Sequence, residues 1–376
     1  MIIPIHKIFK INFKIFLLVI TLCVVGFVML YSAGETYCGG FCTTQVGSWT
    51  PYLNTQIGKF AIGFIAMFVV TLVPITFWRI ASYPIYIIAL ILLVFVFVVG
   101  EVGKLGEAQR WINIAGIIIQ PAEFLRVALV LALAKYFSSD LFENRSTVWL
   151  VPSLLVIIPL IFILKQPDLG TAMLCSGLLV AFLFVSGLSS RFFVRTFAVL
   201  LVAVPFIWLF GLHQYQRDRI LVFFNPAFDT SGVGYHIIQS EIAIGNGGLN
   251  GMGFLQGTQA HLQFLPEIHT DFIFSLILEE FGFIGGCIVI ALFALLITIL
   301  FKLSRQINNP FSALVIFGVA VNLFLSAFLN MGMALGFFPV VGKPLPFISF
   351  GGSSLIATMI AIGLVQSALL YRHKSM

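Results

Sequence analysis

The chain has 376 residues, of which 60% are hydrophobic and only 9% charged, with a mean hydropathy of +1.10. Lys and Arg number 20 against 14 Asp and Glu, a formal net charge of +6. Such a composition excludes an ordinary soluble domain and a disordered chain, and it describes a protein written for lipid.

Ten apolar runs are long enough to cross a bilayer: 13–34, 59–75, 83–100, 121–137, 147–164, 169–188, 192–211, 271–301, 310–336 and 352–370. Short alternating segments, the mark of a membrane β-barrel, are missing. The expected fold class is therefore an all-α integral membrane protein, a polytopic bundle of about ten transmembrane helices. Residues 1–376 form one membrane domain, with a large structured extracytoplasmic loop at 212–270 between spans seven and eight.

The first run has a basic start and ends in Ser32-Ala33-Gly34, as a signal peptide would, but nine further spans favour an uncleaved first helix. Lys7, Lys10 and Lys14 precede it, and Arg372 and Lys374 follow the last run. Both termini are thus expected in the cytoplasm, with 12 of the 20 basic residues on that side. The positive charge reports topology and requires no nucleic acid. Cys38 and Cys42 share the first outer loop and either pair there or stay as thiols.

Residues 101–123 are too polar to span and too apolar for an ordinary loop, so they are expected along or dipping into the membrane surface. Arg110 beside Trp111 there suits an anionic headgroup or simple snorkelling. Glu123 and Arg126, three apart at the start of the fourth span, share a helix face as an ion pair. In the turn 165–170, Asp168 either caps the sixth span or balances a nearby cation.

The 212–270 loop carries aromatic and apolar residues throughout, which argues for structure. Residues 235–244 read as a short amphipathic helix, and 245–257, with six glycines, as tight turns. Those glycines lack the spacing and preceding strand of a nucleotide loop.

The polar stretch 257–271 runs straight into the eighth span. Asp271 reads either as the cap of that span, with Thr270 as the other choice, or as a general base at the edge of a dry cavity. Glu267 lies four residues before it. His269, Asp271 and Glu267 leave room for a weakly held divalent cation, Mg or Mn, while nothing matches a zinc site. Glu279 and Glu280, two turns into the span, point to different faces, so at least one enters the bundle. Finally, residues 337–352 break the helix with three prolines and a Gly pair, and place Lys343 where a phosphate-bearing ligand would suit it. Non-helical backbone at membrane depth needs protein or a water-filled cavity around it. An outward-open cavity is expected where the four irregular segments meet.

Together GEAQRWINI with QPAE, KQPDLGTA, GYHIIQSEIAIGNGG, GTQAHLQFLPEIHTDFIF with LEEFG, and PVVGKPLPFISFGGSS resemble the SEDS family of cell-wall polymerases, and its elongation branch more than its division branch. They occur in order from the third span to the last. The resemblance implies a peptidoglycan glycosyltransferase in the bacterial cytoplasmic membrane. It would polymerise lipid II into β-1,4 glycan on the outer face, beside a class B penicillin-binding protein, the transpeptidase of the elongation machinery. It places the family's essential aspartate at Asp271 and other positions of interest at Arg110, Glu123, Lys165 and Asp168. Arg126 stands where the family usually has Lys, Glu241 replaces another Lys, and Asn250 and Met252 replace basic residues of the glycine loop. In the implied reaction Asp271 takes the proton of the acceptor 4-hydroxyl. That oxygen displaces lipid pyrophosphate from C1 of the growing glycan with inversion. Arg110, Arg126 or Lys343 offsets the pyrophosphate charge. Two other classes remain: a flippase or transporter built on Glu279 and Glu280, and a non-catalytic scaffold for the transpeptidase.

Overall fold

Every one of the ten apolar runs overlaps a helix. The structure, a computed structural model, describes residues 12–34, 51–102, 109–114, 117–139, 148–206, 214–229, 232–262, 264–265 and 267–371. Cys38 and Cys42 lie outside them. The helices of the runs are α1 (Phe13–Gly34), α2 (Pro51–Leu72), α3 (Ile75–Val99), α4 (Pro121–Phe137), α5 (Leu150–Lys165), α6 (Leu169–Val185), α7 (Ser190–Phe206), α11 (Ile273–Gln306), α12 (Pro310–Ala334) and α13 (Gly352–Leu370). Six of these, α1, α2, α3, α11, α12 and α13, are long and apolar enough to cross a membrane, and α5 and α6 are shorter apolar helices.

Helix α2 starts earlier than hydropathy suggests. Pro51 suits a first helical turn, where its missing N–H costs nothing. The polar side chain of Gln56 is used internally, donating to the Ser349 carbonyl at 3.2 Å.

The central helix is α4. All its residues except Phe124, Lys135 and Phe137 are buried, including Glu123 and Arg126. It packs on α3, α12, α13 and α6, while α13 also lies along α2. Outward faces of α3 and α7 carry exposed Ile80, Ile88, Ile91, Val194, Phe197 and Val199. An apolar surface of that extent belongs against lipid.

The all-α expectation needs one correction. The segment after α3 forms a small antiparallel sheet of β1 (Glu101–Val102), β2 (Gln109–Ile114) and β3 (Ile117–Ile119), in that order. Residues 117–119 are three consecutive isoleucines, whose β-branching favours a strand. The segment is tied inward rather than lying free on a surface: the Gln120 N–H donates to Ser353 Oγ at 2.9 Å, and Ser353 Oγ to the Ile118 carbonyl at 3.2 Å.

Between α7 and α11 come α8 (Gln214–Phe224), a 3-10 turn (Pro226–Phe228), α9 (Val233–Gly247) and α10 (Thr258–His261). Helix α9 packs along α11. The expected amphipathic helix at 235–244 is therefore present and somewhat longer.

Candidate active site

Four buried charges meet where α4, the turn before α6 and the breaker before α13 converge. Lys343 Nζ lies 3.0 Å from Glu123 Oε1 and 3.1 Å from Asp168 Oδ2. Arg126 pairs with the other oxygen of Glu123. It also donates to Asn322 Oδ1 at 3.2 Å and Ser326 Oγ at 3.1 Å on α12. Exposures are 1% for Glu123, 5% for Arg126, 3% for Asp168 and 2% for Lys343. Two acids balance two bases, the condition under which buried charge is tolerated.

Asp168 fills both roles its sequence allowed. It caps α6, accepting from Thr171 N at 3.0 Å and Thr171 Oγ1 at 2.7 Å, and it faces Lys343. Gln120 Nε2 adds a bond at 3.2 Å. Burial alone would raise the Asp168 carboxyl, but Lys343, Arg110 and Thr171 outweigh it and hold the group below its ordinary range. Burial works equally against the Lys343 ammonium, and Asp168 and Glu123 more than offset it, holding Lys343 above its ordinary value.

Arg110, on β2, donates to the Gln166 carbonyl at 2.8 Å and the Pro167 carbonyl at 2.6 Å. It thus fastens the small sheet to the turn that carries Asp168.

Asp271 lies at the edge of this cluster, half-buried. Its carbonyl and that of Lys343 both accept from Asn330 Nδ2, at 2.9 and 2.7 Å. Its carboxylate oxygen Oδ2 is 3.4 Å from where a Cβ on Gly342 would sit. The cap position of α11 falls on Phe272, without a side-chain cap bond, so neither Thr270 nor Asp271 occupies it. Instead the Asp271 N–H bonds the Glu267 carbonyl at 3.1 Å, closing a separate turn.

Helix α11 is broken at Gly282, whose φ of +65° is open to glycine and strained for other residues. The glycine-rich loop after α9 docks on that break. Glu279 and Glu280 carbonyls, left without helical partners, accept from Met252 N at 2.9 Å and Gly253 N at 3.0 Å. In return Phe283 N donates to the Gly248 carbonyl at 2.9 Å. The contact is so close that a Cβ on Gly247 would lie 1.9 Å from the Leu278 carbonyl oxygen. The glycines read as tight turns are thus required for a backbone-on-backbone seam.

The two carboxylates beside the break are structural ties. Glu279 accepts from Thr258 Oγ1 at 3.1 Å and Gln259 N at 2.9 Å, holding α10, and Glu280 accepts from Ser32 on α1.

The remaining expected residues are scattered. Lys165 is exposed and forms no ion pair among the described residues. Glu267 is exposed and accepts from Thr270 Oγ1 at 3.0 Å. The His269 ring stacks on Tyr52 at 4.2 Å between centroids. Among the described residues no three His, Cys, Asp or Glu gather as a metal site. Cavities of about 1220 Å³ and about 860 Å³ lie at the far end of α11, around Lys302 and Gln306, rather than at Asp271. The chemistry-bearing side chains, not those cavities, mark the candidate site.

Sequence reading missed Asn330, Asn322 and Ser326. Their recurrence at four-residue spacing, polar side chains on one face of an apolar span, was the available signal.

The FtsW/RodA/SpoVE family, described as cell cycle protein, matches residues 13–374. The chain is 40% identical over 328 residues to the peptidoglycan glycosyltransferase MrdB of Escherichia coli K12, across 86% of both chains. It is 36% identical over 371 residues to the probable peptidoglycan glycosyltransferase FtsW of Geobacter metallireducens, across 95% of this chain and 96% of that one. Among solved structures it superposes on a chain from a study of how a peptidoglycan synthase complex coordinates polymerization and crosslinking. The TM-score is 0.81 and the identity 30%, over 97% of this chain and 99% of that one. It is likewise similar to the rod shape determining protein RodA of Thermus thermophilus, with TM-score 0.70 and 27% identity over 97% and 98%.

Proposed function

This chain belongs to the FtsW/RodA/SpoVE family and is a multi-pass membrane peptidoglycan glycosyltransferase, and we propose that it polymerises lipid II with Asp271 as the general base. The observation that carries the assignment is the pair of hydrogen bonds that Asn330 Nδ2 donates, which fixes the main chain of Asp271 to that of Lys343. A base must be held within reach of one proton, and these bonds fix the main chain that carries the Asp271 side chain.

The reaction is a single displacement. Asp271 takes the proton of the 4-hydroxyl on the acceptor sugar of lipid II. The freed oxygen forms a bond to C1 of the growing glycan as the bond from C1 to lipid pyrophosphate breaks. Inversion gives the β-1,4 link, and the pyrophosphate carries away the electron pair. Arg126 and Lys343 are already matched by Glu123 and Asp168, so their role is to hold the breaker segment rigid beneath Asp271. Arg110 serves the same frame through the Asp168 turn. A Mg or Mn ion would draw on one carboxylate and the phosphates of the substrate, as Mg commonly does. Glu267 and His269, in the turn before Asp271, are the nearer contacts for substrate, and exposed Lys165, beside the Asp168 turn, is a more distant one.

All ten helices cross the membrane in this reading. Helices α4, α6 and α7, of 17 residues each, and α5, of 16, sit at the short end of what suffices. The 212–270 loop and Asp271 face outward, both termini lie in the cytoplasm, and the membrane is the bacterial cytoplasmic membrane, by the bias of Lys and Arg. The partner is a class B penicillin-binding protein, supported by the likeness to a chain of a peptidoglycan synthase complex.

The test is lipid II polymerisation by the purified protein with its transpeptidase, wild type against Asp271→Asn. Glycan chains from wild type alone support the base. Equal chains from both would move the base elsewhere, with Glu267 next. No chains from either would return the scaffold or flippase reading.

A further inference from the structure

The last turns of α11 form a ridge between two apolar cavities that share Lys302 and Gln306. One, of about 1220 Å³, lies among α6, α7, α11 and α12 and is walled by Phe184, Phe193, Phe301 and Phe317, with Arg305 at its mouth. The other, of about 860 Å³, lies between α1 and α11, with Leu17 and Ile299 in its wall and Lys14 at its mouth. Among the described residues no acid lines either cavity. Lys14, Lys302 and Arg305 are exposed and form no ion pair with a described acid. This differs from the buried charges near Asp271, which are matched one for one.

We propose that this end of α11 binds one anionic phospholipid of the surrounding bilayer, with its phosphate at Lys302 between Arg305 and Lys14 and an acyl chain in each groove. Charge selects the occupant. Three cations without a counter-charge among the described residues attract a net negative headgroup, whereas a zwitterionic lipid would bring its own ammonium against them. Shape fits two chains. The grooves extend from Gln306 back to Thr298 on one side and Leu295 on the other. At a rise of 1.5 Å per residue these are about 12 and about 16 Å of helix, suited to the upper part of an acyl chain. By the bias of Lys and Arg this end faces the cytoplasm, so the lipid is separate from any substrate at Asp271.

The full chain is reconstituted in nanodiscs of equal phosphatidylglycerol and phosphatidylcholine, then transferred to mild detergent, and the retained lipids are counted by mass spectrometry. Wild type is expected to keep phosphatidylglycerol several-fold over phosphatidylcholine. The Lys302→Gln/Arg305→Gln variant is expected to lose that preference, and Lys302→Arg/Arg305→Lys to keep it. Equal retention of both lipids by wild type overturns the site, as does a preference unchanged by neutralisation. Should the neutralised variant fail to fold, salt decides on wild type. Preferential release of phosphatidylglycerol at about 1 M NaCl, where the screening length is about 3 Å, supports the site, and salt-independent retention overturns it.

Discussion

The main chains of Asp271 and Lys343 are joined through a single side-chain nitrogen: Asn330 Nδ2 donates to the Asp271 carbonyl at 2.9 Å and the Lys343 carbonyl at 2.7 Å. The candidate base and the centre of the buried ion cluster therefore move as one piece. Both bonds are made to backbone oxygens, so they hold the Asp271 main chain rather than its carboxylate.

Asp271→Asn should lower polymerisation by about 10²-fold or more, the scale of a lost general base. Its melting temperature should stay at the wild-type value, since both the Asn330 bond and the Phe272 cap position survive. A large drop in melting temperature with activity retained per folded molecule would make Asp271 a structural residue.

Lys343→Met should destabilise by about 3 to 5 kcal/mol, because Asp168 is left buried without its cation and Glu123 keeps only Arg126. Adding Asp168→Asn should recover part of the loss, with a coupling of about 0.5 to 3 kcal/mol in a double-mutant cycle. Strict additivity of the two losses would show that the pair carries no interaction.

Gly247→Ala should open the seam on α11, since its Cβ would meet the Leu278 carbonyl oxygen at 1.9 Å. Limited proteolysis should then cut within the 248–257 loop. Gly245→Ala, with nothing within 4 Å, should be neutral. That neutrality concerns the seam; within α9 the change should add up to about 1 kcal/mol of stability through helix propensity. Similar protease resistance in both variants would mean that the seam does not hold the loop.

The pH profile separates base from frame. Asp168 is held below its ordinary 3.8, so its stabilisation is present above that value and is lost as pH falls through the lower folded value. Lys343 is held above its ordinary 10.5, so its stabilisation is complete below that value and is lost as pH rises through the higher folded value. These two groups therefore leave thermal stability unchanged from about pH 5 to about pH 9, and an acid limb in the rate over that range belongs outside them. A melting temperature that fell in step with the rate would tie the limb to folding, with half-buried His236, held below its ordinary 6.5 by burial, the group to replace next.

Arg126→Lys would restore the residue usual in the resemblance. Lys keeps the pair with Glu123 but lacks the fork that also reaches Asn322 and Ser326. A loss of about 1 to 3 kcal/mol with activity kept per folded molecule is expected, read as a lower melting temperature. An unchanged melting temperature would show that the α12 contacts contribute nothing.

What could be read from sequence was what a single element expresses. Apolar length marked the helices, three-residue spacing marked the Glu123 and Arg126 pair, and Asp168 before Leu169 marked a cap, because each depends on neighbours within one turn. The polar run before α11 and the motifs around it pointed to Asp271. Folding in three dimensions decided the rest. Lys343 meets Glu123 across 220 residues and Asp168 across 175, and Ser32 meets Glu280 across 248. Nothing local says which cation neutralises which acid, since any opposite charge would satisfy the same residue. The break at Gly282 was hidden inside an apolar run, and the glycines that seal it were read only as turns. Their meaning lies in backbone groups of another segment, which side-chain patterns do not record.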